Sequence, residues 1–508
     1  MNWTLLQNSL IVSSGATLLA VLVGFGAALW LVALPPAWRN RLLVAAIIAL
    51  VLPPFLVTNC WLHFLGLTGV WRSWLPLNIY SLGGTIWILA LLTWPIPLLA
   101  TLSAWQRLES AQLESDPALC GAALIRWLLW PMARVAVGQA AVLAFVLALN
   151  NFAVPAILQV KVFPAEVWVR FSTNFDTVGA LALSWPLLVA PIGLLFLLRR
   201  TEISWPREGR GVPCRTMRRQ LGPGWFWSCG FLSLTILLLS VVLPLMQILA
   251  VEKTWTELPN VFRAVPGVIW NSFALSAATA SACVGIALAV AVAATKSKVS
   301  GTERTLGVHP LGCQTPSETL MCGHQTRARA ALLPGRLWTL SLLWLPLLLP
   351  GVLLGISLTV VFNRPVLDGI YHGAGIVLIA WTVRYLALAA NGVAFAFQSV
   401  DRDLTDAARL SGASGWTLLR HIHWPQIAPQ VRAAWYLTYL LCLWDVETLI
   451  LIYPPGGETL ALRIFNLLHY GHNAQVNALC LLLLVLAVAP GAASCLVRRL
   501  GMRMTNDQ

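Results

Sequence analysis

Charge is scarce in this sequence. Asp, Glu, Lys and Arg make up 10% of the 508 residues, where a soluble domain carries about 25%. Hydrophobic residues make up 58%, and the mean hydropathy is +0.77. So few charges cannot keep such a chain in water, which excludes a soluble globule and implies a polytopic membrane protein. A nucleotide-binding loop is also missing: no G-x-x-x-x-G-K-[ST] occurs, and GASG at Gly412–Gly415 is not followed by Lys. No Ser/His/Asp constellation is present, so no catalytic residue is assigned. The 10 cysteines are scattered and form no disulfide framework. His309, Cys313, Cys322 and His324 share one segment, but their spacing fits no common zinc pattern, so no metal site is assigned. The first apolar run, from near Leu10, has no basic leader and no small-residue cleavage site, and reads as a retained span.

What is present is a series of long apolar runs. They fall roughly at 9–34, 41–65, 80–103, 134–155, 177–198, 225–249, 270–294, 338–362, 371–396, 428–452 and 474–497. Each approaches the ~20 residues that a bilayer requires. The pattern predicts an all-α fold with about eleven transmembrane helices. The net charge of +14 is explained by topology rather than by a nucleic-acid partner. With 401–425 in the cytoplasm, most of the 33 Lys and Arg fall on inside segments. Outside lie Arg72, Lys161, Arg170, Lys253, Arg263, Arg364 and Arg463. The positive-inside rule favours this orientation, with the N-terminus outside and the C-terminus cytoplasmic.

The chain repeats itself. Asn8-Ser9 opens the first span and Asn271-Ser272 the seventh. Leu52-Pro53 matches Leu349-Pro350. LIRWLLWP at Leu124–Pro131 matches LLRHIHWP at Leu418–Pro425, and in the same register Gly121 meets Gly415 and Asn151 meets Asp445. VWVRF at Val167–Phe171 resembles LALRI at Leu460–Ile464. Ordered matches of this kind indicate internal duplication. The unit is five spans, so the sixth restores parallel orientation. The expected domains are a first repeat over 1–200, a linker with an extra helix over 201–265, and a second repeat over 266–508. An insertion near 296–336 interrupts the second copy.

Between the ninth and tenth spans lies a polar, basic stretch, DRDLTDAARLSGASGWTLLRHIHWP, Asp401–Pro425. It predicts a short helix over Leu404–Leu410, a break at Gly412, and a second helix capped by Ser414 and stopped or kinked by Pro425. Asp406-Ala407-Ala408, then Gly412, Ile422 and Pro425, resembles the EAA loop of ATP-binding cassette (ABC) importer permeases, with Asp406 in the Glu position. Tyr453–Gly471 resembles the fused permeases of the ferric-iron type; thiamine and 2-aminoethylphosphonate permeases share that layout. The resemblance implies two parallel type I permease repeats, a cytoplasmic ABC ATPase dimer and an extracytoplasmic solute-binding protein as partners, and a bacterial inner membrane. It also implies ATP and Mg on the partner ATPase and no cofactor on this chain. Asp406 would cap its helix and pair with a partner Arg, Trp416 and Leu419 would be apolar anchors, and Arg409 and Arg420 a cationic rim. The first copy, Gln112–Pro131, keeps Glu114, Gly121, Arg126 and Pro131, but lacks the Ala-Ala pair and carries Pro117.

Ionisable and amide groups inside spans are the pathway candidates: Arg384, Asp445, Glu447, Asn150 and Asn151. Carboxylate oxygens suit a cation, and an Arg384–acid pair holding two spans together is the competing structural role. The resemblance favours ferric iron as cargo, with thiamine, 2-aminoethylphosphonate or polyamine as alternatives. A secondary transporter would be expected to show inverted repeats, and a membrane scaffold would not explain a duplicated loop.

Overall fold

The computed structural model describes residues 3–105, 119–174, 214–305, 343–413, 415–469 and 475–506, with single positions between 106 and 193. Among the described residues every regular element is helical. Among the described residues seven helices are long and apolar enough to cross a membrane, or nine if each of two bent pairs counts as one span. The expected span at 177–198 and His309, Cys313, Cys322 and His324 lie outside the described residues, except for a few positions of the former. The chain divides into two compact units, and each is built from separate stretches of the sequence.

The larger unit comprises Met1–Phe273, Leu348–Ile376 and Leu443–Gln508. Its axis is the helix Trp3–Val32, which packs against Leu82–Trp105, Ala122–Asn150 and Pro223–Ala250. The buried stripe on the axis is small: Ala16, Ala20, Gly24, Ala27 and Ala28. Lipid tails are as apolar as leucine, so close van der Waals approach holds such helices together. Gly24 shows how close: a Cβ there would lie 2.7 Å from the Trp94 carbonyl oxygen and 2.8 Å from the Leu98 nitrogen.

The expected single span at 41–65 is instead two helices, Pro36–Val51 and Pro54–Leu65, bent by 87°. Pro53 has no N–H to give and its ring restricts Leu52 to extended backbone, so the helix stops there and restarts. Pro350 has nearly the same backbone angles ahead of Gly351–Phe362.

The smaller unit comprises Ala274–Leu347 and Val377–Cys442. Its core is Cys283, Val284 and Ala287 against Ala389, Val393 and Ala396, closed by Ile427 and Val431. A Cβ on Gly392 would lie 2.6 Å from the Ala434 Cβ, so small residues again set the helix spacing. Trp435 Nε1 donates to Ser281 Oγ at 3.1 Å.

Candidate functional site

The stretch Asp401–Pro425 is a helical hairpin within the smaller unit. Its first helix runs Arg402–Leu410, and its N-cap is Asp401, whose carboxylate accepts from the Asp403 N–H at 2.9 Å. Asp406 therefore does not cap the helix. It stands in mid-helix, 68% exposed, with its carboxylate 3.6 Å from Arg409. The chain turns at Gly412, whose φ of +85° is costly for a residue with a Cβ. The Ala413 N–H closes the turn on the Ala408 carbonyl at 2.9 Å. Ser414 lies outside the described residues.

The second helix starts at Gly415–Leu418, widens into a π turn at Leu419–His423, and continues as Trp424–Leu443. Pro425 does not stop it, contrary to the expectation. In an α-helix the proline ring meets the carbonyl four residues back. The widened turn relieves that clash, and the Trp424 N–H reaches back to the Leu419 carbonyl instead.

The hairpin presents an apolar surface. Leu410 is 91% exposed, Trp416 71% and Leu404 53%. Leu419 is half-buried, and Arg409 and Arg420 are exposed beside it. Ala407 is exposed and Ala408 half-buried. Leu404 and Leu410 were not singled out in the sequence, although both flank the Ala pair. Beneath them, Thr405 Oγ1 donates to the Asp401 carbonyl at 2.8 Å and stands 3.4 Å from His423 Nε2. Burial, and then the charge of Arg409, lower the proton affinity of His423 below that of an ordinary histidine.

The first-half counterpart lies in the larger unit. Glu114 is outside the described residues. Gly121 has φ +57°, as Gly415 has +51°. A π turn spans Ile125–Leu129, and the Trp130 N–H reaches the Ile125 carbonyl ahead of Pro131. The same residue pattern thus makes the same backbone at both sites. Arg126 lies over the Trp127 ring at 5.3 Å. The surroundings add one element: the helix Cys214–Leu221 packs here, with Met217, Gln220 and Leu221 buried. The Gly121 N–H donates to the Gln220 carbonyl at 2.8 Å, and the Gln220 amide donates to the Leu113 carbonyl. The apolar spacing of Met217 and Leu221 within a basic run is the signal that could have revealed this helix.

Four of the five pathway candidates gather in the larger unit. Asn151 Oδ1 accepts from the Val154 N–H at 3.0 Å, and Asp445 Oδ1 accepts from the Thr448 N–H at 3.0 Å. Both therefore close the same turn at the end of a long helix. Asp445 Oδ2 also accepts from Thr448 Oγ1 at 2.9 Å. The Asn150 amide donates to the Leu348 carbonyl, and Glu447 Oε1 accepts from the Phe152 N–H at 3.1 Å. The two turns are thus joined directly. Arg384 belongs to the smaller unit, buried, with its guanidinium 5.7 Å from the Tyr385 ring centroid.

Matching hydrogen bonds recur elsewhere in the larger unit. Ser9 Oγ accepts from the Phe163 N–H at 2.9 Å, and Ser272 Oγ accepts from the Leu460 N–H at 2.8 Å. Asn8 donates to the Lys161 carbonyl at 3.1 Å, and Asn271 to the Gly456 carbonyl at 2.7 Å and the Glu458 carbonyl at 3.4 Å. These bonds set Phe163 against Leu460, four residues away from the register in which VWVRF and LALRI match. An arginine in each string produced the displaced sequence match.

A multi-span helical membrane protein is the class that this architecture defines. Residues 332–498, which contain the hairpin, match the family of binding-protein-dependent transport system inner membrane components. The spermidine/putrescine transport system permease protein PotC of Escherichia coli K12 is 32% identical over 165 residues, covering 32% of this chain and 61% of that protein. PhnV of Salmonella typhimurium, named for 2-aminoethylphosphonate transport, is 30% identical over 152 residues, covering 30% of this chain and 57% of its own length. The chain thus spans less than two thirds of these relatives.

Proposed function

We propose that this chain is the transmembrane subunit that forms the solute path of an ABC importer. It would lie in a bacterial inner membrane with its N-terminus outside and its C-terminus cytoplasmic. A cytoplasmic ATPase dimer would supply ATP and Mg chemistry, and an extracytoplasmic binding protein would deliver solute. The observation that carries this reading is the exposed hairpin Asp401–Leu418, lying within the family match and presenting Leu404, Leu410 and Trp416 uncovered among the described residues. Apolar anchors with a cationic rim suit a protein dock.

In chain order the hairpin is followed by the helix Trp424–Leu443 and then by Asp445 and Glu447. The paired geometry at Gly121 and Gly415, at the two π turns and at Ser9 and Ser272 supports an internal duplication into two five-span halves. These halves correspond to 1–200 and 266–508, joined by 201–265.

For cargo, the relatives named for polyamine and aminoethylphosphonate transport support a small organic amine over ferric iron. Glu447 and Asp445 would offer such a cation carboxylate oxygen on its way through. The test is co-purification of the chain with the ATPase encoded beside it. Retention by the intact chain and loss on replacing Leu410 and Trp416 with Asp is the expected result; equal retention by both sinks the docking assignment.

A further inference from the structure

The segment that joins Pro54–Leu65 to Leu82–Trp105 turns back on the end of the first helix, where the Val70 and Trp71 N–H groups donate to the His63 and Phe64 carbonyls, and it borders a half-open cavity of about 630 Å³. Its walls are Trp61 and Leu65 from the first helix, Trp71 and Leu77 from the connecting segment, and Trp87 from the next helix. Small-ligand pockets run from roughly 300 to 1,000 Å³, so the volume is that of a real guest.

The wall chemistry restricts the guest. No lining residue carries a charge, and the two polar side chains are engaged in local turns. Asn78 Oδ1 accepts from the Tyr80 N–H at 3.0 Å, and Ser81 Oγ donates to the Asn78 carbonyl at 2.7 Å while accepting from the Gly84 N–H. A charged solute would surrender its hydration here for nothing in return. An apolar chain would gain, since burying each methylene stabilises by about 0.8 kcal/mol.

Exposed residues of the same segment have the composition of a membrane surface. Trp74 is 86% exposed, Leu67 70% and Val70 58%, with Arg72 exposed between them. Tryptophan beside arginine is the composition of the interfacial belt, where the headgroups meet the hydrocarbon. The bilayer is the medium in contact with such a mouth, and acyl chains are what it supplies.

We infer that this cavity seats one acyl chain of a membrane phospholipid. The chain fills the space under the 66–81 segment and holds it against the two helices. The inference needs only that the protein spans a membrane, and it stands whether or not the importer reading does.

Gly83 provides a clean test. It lines the cavity, lies in the first turn of its helix, and a Cβ there meets nothing nearer than Ser81 Oγ at 3.7 Å. Gly83→Phe would fill the cavity without a backbone clash and with better helix propensity than glycine. The full chain is placed in nanodiscs of phosphatidylethanolamine and phosphatidylglycerol containing a phospholipid with a photoactivatable diazirine in one acyl chain. Cross-linked peptides are then mapped by mass spectrometry. The expected result is labelling of the 61–87 region several-fold above the exposed face of Pro223–Ala250, falling about tenfold in Gly83→Phe. Labelling no greater than on Pro223–Ala250, or unchanged in Gly83→Phe, overturns the inference. Protection of the same peptides by an added extracytoplasmic protein, with no lipid labelling in its absence, would assign the cavity to a protein contact and also overturn it.

Discussion

Asp406 illustrates how a residue's role depends on where its helix begins. The sequence motif points to it, but Asp401 takes the cap and leaves Asp406 exposed, with its carboxylate 3.6 Å from Arg409. Exposed pairs of this kind contribute about 0.2–1 kcal/mol, so changing Asp406 should leave the fold intact. The exposed apolar residues follow the same logic. Leu410→Asp and Trp416→Asp remove no buried contact and should cost less than about 0.5 kcal/mol of stability. Each should still weaken ATPase retention severalfold, read by co-purification at fixed membrane levels. His423 carries a pH dependence. Its proton affinity is lowered in the folded hairpin, so its contribution to stability is complete above the ordinary value of 6.5 and is lost as pH falls through the lowered one. Hydrogen exchange of the 401–423 amides should therefore accelerate on acidification, and His423→Gln should flatten that response. None of this ordering could be read from the string DRDLTDAARL alone, because three aspartates compete for one cap.

At the scale of elements, prolines taught the most. Pro53 breaks its span, as the chemistry of a missing N–H predicts. Pro425 and Pro131 do not, because a π turn sits in front of each. The sequence signal for a stop was genuine; the widened turn that relieves it leaves no residue signature beyond the repeated R-x-x-x-W-P spacing. The hairpin itself was legible because a polar stretch between two apolar runs has few other fates in a membrane. The Cys214–Leu221 brace was hidden in a run of arginines that read as a topogenic charge. Paired bonds offer a quantitative check on the duplication. Ser9→Ala and Ser272→Ala each strand one buried backbone N–H, at a cost of about 1–3 kcal/mol. Thermal unfolding in detergent should show similar losses for the two. Gly392→Leu should lose about 1–3 kcal/mol by overpacking against Ala434, while Gly138→Leu, where a Cβ meets nothing within 4 Å, should not.

The whole molecule was the most legible scale. Low charge and recurring apolar runs specify a polytopic helical protein before any motif is considered, and the family match over 332–498 agrees with the loop resemblance. Cargo was the least legible, because Asp445 and Glu447 share their oxygens with the backbone N–H groups of Thr448 and Phe152. A carboxylate read from sequence as a ligand can serve chiefly to hold a turn. The central claim is that Asp401–Pro425 couples an ATPase to transport. The most direct measurement is solute uptake alongside ATP hydrolysis in vesicles that hold this chain, the ATPase encoded beside it and the associated binding protein. The account predicts solute-stimulated hydrolysis and uptake in the native chain, and in Asp406→Lys a collapse of uptake at unchanged membrane levels. Normal uptake by Asp406→Lys would contradict it.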